Sequence, residues 1–246
     1  MSKKGTLLYC FSPPVMLLTF VTEIALALYT IWRYRMTTVS KLAVGMLTFL
    51  ATFQLSEYML CGGLGLQGVD WMRFGYVSIT LLPPIGLHMA TVLAGKEKQL
   101  KWLVASAYGT AVVFVYFFIF VARSLNGMNC MPNYAVFHVD QNLTNYYGAY
   151  YYGWLLVSTH LALKWAKTHK HARNLRALAM GYAVFIIPTT LAVVINPQTT
   201  EGIPSIMCGF AILMALIVSG AVLPGVALLK NGKRSRSHNF LPFLGR

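Results

Sequence analysis

The feature that most constrains this chain is the apolar run Met72 to Ala94, more than twenty residues long. At ~1.5 Å per helical residue such a run crosses a hydrocarbon core ~30 Å thick. A Pro pair, Pro83-Pro84, lies near its middle. Each Pro removes a backbone donor and crowds the preceding turn, so a kink is expected there. One turn later stands His88, a titratable group inside a membrane segment. Such groups are costly in lipid and face the protein interior.

Six further runs resemble it. Together the seven cover about 12–32, 41–61, 72–94, 101–122, 147–166, 176–196 and 203–229. Only 11% of the 246 residues are charged and 57% are hydrophobic, against about 25% charged in an ordinary soluble domain. The expected fold is therefore an all-α polytopic membrane protein, a seven-transmembrane-helix bundle over residues 1–229. A short basic tail, 230–246, follows.

The net charge of +14 suggests nucleic acid at first sight, but its distribution argues for membrane topology instead. Sixteen of the twenty Lys and Arg lie in the odd-numbered joins and the tail, from Arg33, Arg35 and Lys41 through Lys96, Lys98 and Lys101 to the group around 164–176 and Lys230 onward. Positively charged joins stay inside. This places the N-terminus outside and the C-terminus in the cytoplasm, and the alternation requires an odd number of spans.

All four cysteines, Cys10, Cys61, Cys130 and Cys208, then fall at or near the outer face. An oxidising exterior permits disulfides, and four cysteines allow three pairings. Cys61 with Cys130 is preferred, because it ties the long fourth join onto the bundle; four free thiols are the alternative. That join, Ser124 to Gly148, runs into Tyr146, Tyr147, Tyr150, Tyr151, Tyr152 and Trp154. These aromatics read either as an interfacial belt or as the wall of an outward pocket. Asn142-Leu143-Thr144 also forms a glycosylation sequon.

Four ionisable residues lie well inside the spans: Glu23, Glu57, His88 and His160. Glu23 sits near the middle of the first span. Glu57 sits a turn below the outer end of the second, with Gln54 on the same face. The two histidines share the inner half. The carboxyls read either as polar packing contacts between helices or as the floor of a ligand-binding or proton-sensing pocket with Tyr76. The histidines read either as a haem or metal pair or as donors to local oxygens such as that of Thr159. No third ligand stands at their depth, so neither metal nor cofactor is expected.

Absent motifs narrow the chemistry. There is no H-E-x-x-H, no G-x-S-x-G and no P-loop. The seventh run has no Lys to carry a retinal Schiff base. No inverted repeat of the transporter kind is found. An enzyme is not expected.

Helices two and three carry a family resemblance. Phe53 to Leu60, FQLSEYML, then Trp71 and RFGYVSITLLPPIGLHMATVLAGK from Arg73, resemble the seven-helix N-terminal membrane region of some bacterial histidine kinases and diguanylate cyclases. The matching features are a Glu near the end of helix two, here Glu57, and an aromatic-to-Leu-Pro run, here Tyr76 to Pro83. Ile203 to Pro224 is similar to the family's last helix. The resemblance implies a sensor in the bacterial cytoplasmic (inner) membrane with an effector domain after helix seven. Here KNGKRSRSHNFLPFLGR follows instead.

The expected function is therefore a stand-alone sensor or ligand-binding module acting through a separate protein partner. The alternatives are a structural subunit of a larger membrane complex and a small transporter or proton-linked protein. Membrane lipids are expected partners, with the basic tail on anionic headgroups; nucleic acid is not.

Overall fold

A computed structural model describes residues 13–62, 68–121, 125–130, 135–168, 170–195 and 203–230. Its elements are α1 (Pro13–Arg33), α2 (Thr38–Gly62), α3 (Gly68–Thr80), α4 (Leu82–Leu93), α5 (Lys101–Phe120), β1 (Leu125–Cys130), β2 (Ala135–Val139), α6 (Gln141–Trp165), α7 (Ala172–Ile195), α8 (Ile203–Gly209) and α9 (Ala211–Ile217). A π-helical turn, Val218–Val222, extends α9. Since α3 runs into α4 and α8 into α9, the described residues form seven helical rods. Five of the rods are long and apolar enough to cross a membrane: Pro14–Arg33, Thr38–Leu60, Gly68–Leu93, Lys101–Phe120 and Ala172–Ile195. This is the build of an integral membrane protein.

Burial follows the helical period. Along α1 the buried positions are Met16, Thr19, Glu23, Ala27, Thr30 and Tyr34, a three-four spacing that makes one stripe. Leu18, Val21, Leu28 and Trp32 are exposed, as lipid-facing side chains are. Ala27 packs with Leu47 of α2 and Ala215 of α9. The main core gathers Phe53, Tyr76, Ile85, Met89, Tyr147, Leu155, Leu178, Tyr182 and Met214 from five rods.

Three expectations are corrected. The 4–5 join is not irregular throughout: Gly127–Cys130 pairs antiparallel with Ala135–His138, after a register shift near Leu125. The fifth helix begins at Gln141, because the Asp140 side chain accepts from the backbone N–H of Asn142 and Leu143 at 3.0 and 3.2 Å. This N-cap draws the sequon into the first helical turn. The seventh rod is also not one helix over 203–229. It breaks at Phe210, and helical structure ends at Val222.

Pro224 explains part of that ending. Without an N–H it cannot bond the Gly220 carbonyl, and Leu223 reaches back five residues to Val218 at 3.0 Å. The last carbonyls of a helix lack intrahelical partners. Here the buried Asn174 amide of α7 donates to the carbonyls of Ala221 and Val222, at 3.2 and 2.8 Å. Gly225 leaves the room: a Cβ there would meet the Asn174 amide nitrogen. Asn174→Ala is expected to cost about 1–3 kcal/mol, at roughly a membrane-type hydrogen bond apiece or somewhat more. Detergent unfolding of the variant would measure it.

One end of the bundle is closed by main chain. Tyr34, leaving α1, bridges Leu229. Arg35 N–H donates to Leu228 at 2.8 Å and Lys230 N–H to Arg33 at 3.2 Å. The tail beyond Lys230 lies outside the described residues.

Candidate functional site

The Pro pair organises the centre of the bundle. Pro83 and Pro84 cannot donate to the carbonyls of Ile79 and Thr80, four residues back. The rod is accordingly interrupted at Leu81, whose N–H turns to the nearer Ser78 carbonyl at 3.3 Å. A buried carbonyl without a donor is costly. The Tyr150 hydroxyl of α6 supplies one to Thr80, at 2.7 Å. Thr80 Oγ1 donates to the Tyr76 carbonyl at 2.6 Å, so its contact with the Tyr147 hydroxyl at 3.1 Å has Tyr147 as donor. Two tyrosines of α6 thus clasp the broken rod at one residue.

Aromatic rings enclose this clasp. Tyr76 lies against Phe118 with ring centroids 4.7 Å apart and against Tyr147 at 5.8 Å. Phe114 meets Tyr150 at 4.8 Å and Tyr147 at 5.4 Å. Offset and edge contacts of this kind add to plain burial. The six aromatics at the start of α6 differ in burial. Tyr147, Tyr150 and Tyr151 are buried, and Tyr146 is exposed. Trp154 ties α6 to α5 through Thr110 Oγ1 at 3.0 Å.

Tyr150→Phe is expected to leave the Thr80 carbonyl unmet and cost about 1–2 kcal/mol, near the upper end for hydrogen bonds inside membrane bundles. Tyr147→Phe should cost less, because Thr80 Oγ1 keeps its bond to Tyr76. Denaturation of both variants in one detergent would rank them.

Of the candidate polar groups, Glu23, Gln54, Glu57 and Tyr76 are all buried, at 0, 2, 1 and 4% exposure. Glu23 stands one turn from Ala27 on the α1 stripe, and neither of its oxygens has a hydrogen-bond partner among the described residues. The nearby hydroxyls on that stripe are committed elsewhere: Thr19 to the Val15 carbonyl and Thr30 to that of Leu26. Gln54 and Glu57 lie on the buried side of α2, beside Phe53 and Ser56.

A small central void lies between α2, the α3–α4 rod, α6, α7 and the last rod. Leu50, Leu82, Tyr151 and Phe185 line it, and at about 20 Å³ it admits one water-sized occupant. None of the six candidate polar residues lines it.

The two histidines have different surroundings. His88 Nε2 is 3.6 Å from the Glu97 carboxylate, and its Nδ1 is 3.4 Å from the Tyr108 hydroxyl. His160 is on the exposed side of α6, since the buried stripe there passes through Leu155, Ser158, Ala162 and Trp165. Among the described residues no three His, Cys, Asp or Glu gather as a metal site. The side chains of Cys61 and Cys130 lie outside the described residues, as do those of the other two cysteines.

Reading from sequence missed Thr80, Tyr182, Glu97 and Tyr108. Thr80 was accessible in principle, since it stands four residues before Pro84. The others depend on which helices become neighbours. A comparison with protein-family models returns no match, and a search of curated proteins returns none either.

Proposed function

We propose that this chain is a seven-span, non-enzymatic membrane sensor or ligand-binding module of a bacterial cytoplasmic membrane. Its N-terminus is outside, its C-terminus is cytoplasmic, and it passes a change of helix α3–α4 to a protein partner. One observation supports the reading: the rod interrupted at Leu81 carries Tyr76, packed on Phe118, on one side of the break and His88, 3.6 Å from the Glu97 carboxylate, on the other. A helix already broken at its centre, and held there by two side-chain hydrogen bonds, has a local route to a second arrangement. A ligand shifts such an equilibrium by its differential affinity for the two arrangements.

Topology support comes from the basic joins and from the pairing of Tyr34 with Leu229, which puts Arg33, Arg35 and Lys230 at one end of the bundle. The resemblance of Phe53 to Leu60 and Arg73 to Lys96 to bacterial sensor regions points the same way.

The test is isolation of the natively expressed protein in mild detergent, with mass spectrometry of every protein and small molecule that co-elutes. Sub-stoichiometric recovery with a signalling protein, or a bound small molecule lost in Tyr150→Phe, is the expected result. Recovery only as a fixed-ratio part of one large complex would make the chain a structural subunit and overturn the sensor reading.

A further inference from the structure

The main-chain bridge between Tyr34 and Leu229 frames a cleft of about 300 Å³ lined by Trp32, Arg33, Leu229 and Lys230. That volume is at the small end of ligand-sized sites. The bridge brings together two cations that are almost two hundred residues apart in the chain. Both are exposed, and Arg33 also lies over the Tyr29 ring at 5.9 Å.

No carboxylate among the described residues serves these two cations. Asp70 pairs with Arg73, and Asp140 caps α6. Glu97 faces His88, and Glu23 and Glu57 are buried within the spans. The α1 terminus does not neutralise them fully either, because the Arg33 carbonyl is already bonded by the Lys230 N–H. Two like charges held together by backbone, at the mouth of an open cleft, favour an anion between them.

The surroundings identify the kind of anion. Arg33 ends a span-length apolar helix, which puts the cleft at the level where hydrocarbon meets headgroups. Leu28, Ile31 and Trp32 are exposed beside it, and Trp favours this interface. A dissolved anion has no use for that apolar flank, whereas a phospholipid covers it with acyl chain while its phosphate reaches the cations.

We propose that the Trp32–Arg33–Lys230 cleft is a binding site for the phosphate headgroup of an anionic phospholipid. The site does not depend on the sensor reading. It also ties the end of α1 to the exit of the last rod, so occupancy holds the first and seventh rods together at that end of the bundle.

The test uses the full chain in nanodiscs of phosphatidylcholine with and without phosphatidylglycerol, read by native mass spectrometry. Phosphatidylglycerol should remain bound in preference to phosphatidylcholine. At about 1 kcal/mol per interfacial cation, Arg33→Gln with Lys230→Gln should weaken its binding roughly 30-fold, and each single change roughly 5-fold. The single variants decide the matter should the double variant fail to fold. Lys164→Gln with Lys167→Gln, also exposed, should leave binding unchanged. Equal loss in that control, or equal retention of phosphatidylcholine, would mean diffuse attraction and overturn the site. Displacement of phosphatidylglycerol by inorganic phosphate, with stabilisation by phosphate in pure phosphatidylcholine, would make it a soluble-anion site and overturn the lipid assignment.

Discussion

Glu23→Leu is expected to stabilise this protein by about 1–3 kcal/mol, the usual burden of a buried polar group without a partner. Glu23 is wholly buried on the inner stripe of α1, and neither oxygen is hydrogen-bonded among the described residues. Leucine is close to it in size, so the α1–α2–α9 seam need not open. Glu23→Gln should show no such gain, since the amide brings two donors that need partners as well. Glu23→Ala should lose stability through the space it leaves. Unfolding in a single detergent, wild type beside the three variants, gives the ordering. A loss of stability in the leucine variant would show that the carboxyl is held by a partner. Gained stability together with lost ligand or partner binding would mark Glu23 as a functional group kept at a cost to the fold.

Gly86→Ala should destabilise by about 1–3 kcal/mol, because an added methyl in a tight core forces its neighbours off their rotamers. A Cβ at Gly86 would lie 2.5 Å from the Tyr182 hydroxyl and 3.0 Å from the ring carbon that bears it. Tyr182 is 1% exposed and among the largest fully buried side chains, so it has little freedom to retreat. Its hydroxyl has no hydrogen-bond partner among the described residues. Tyr182→Phe alone is therefore expected to be neutral or slightly stabilising. In the background of Gly86→Ala it should recover part of the loss, since the closest atom is gone and the ring carbon remains. A double-mutant cycle on the unfolding free energies reads this coupling directly. Strict additivity would mean that α4 and α7 shift apart and do not share the contact.

The same pair of helices shows how far the sequence could be read. The apolar runs located the rods, and five of these reach membrane-spanning length, because hydrocarbon thickness sets helix length and every backbone polar group in lipid must be met within the segment. Pro83-Pro84 marked the break in the third rod for a similar reason: a missing N–H is a property of the residue itself. The ends of α6 were less legible. Tyr-rich sequence is not strongly apolar, and the N-cap at Asp140 starts the helix well before the apolar run begins.

Which polar groups meet was decided elsewhere. Glu23 and Glu57 were recognisable as costly in a membrane, and both are buried, as are Gln54 and Tyr76. His88 and His160 looked equivalent by depth, yet one faces Tyr108 and Glu97 and the other lies on an exposed face. Depth along a helix follows from residue count at ~1.5 Å per step. Facing depends on rotation about the axis, and that is set by packing against neighbours.

The sequence by itself determined the approximate position of the helical rods, the broken third rod and the concentration of cations in alternate joins. Each follows from chemistry local to a segment: apolarity, a missing donor, a charge. Only the tertiary structure decided that Tyr150 completes Thr80, that Asn174 closes the seventh rod, that Gly86 must admit Tyr182, and that Arg33 stands beside Lys230. Those pairings join residues between 47 and nearly two hundred positions apart. No local rule links them, because their partners are chosen by how the rods rotate and pack against one another.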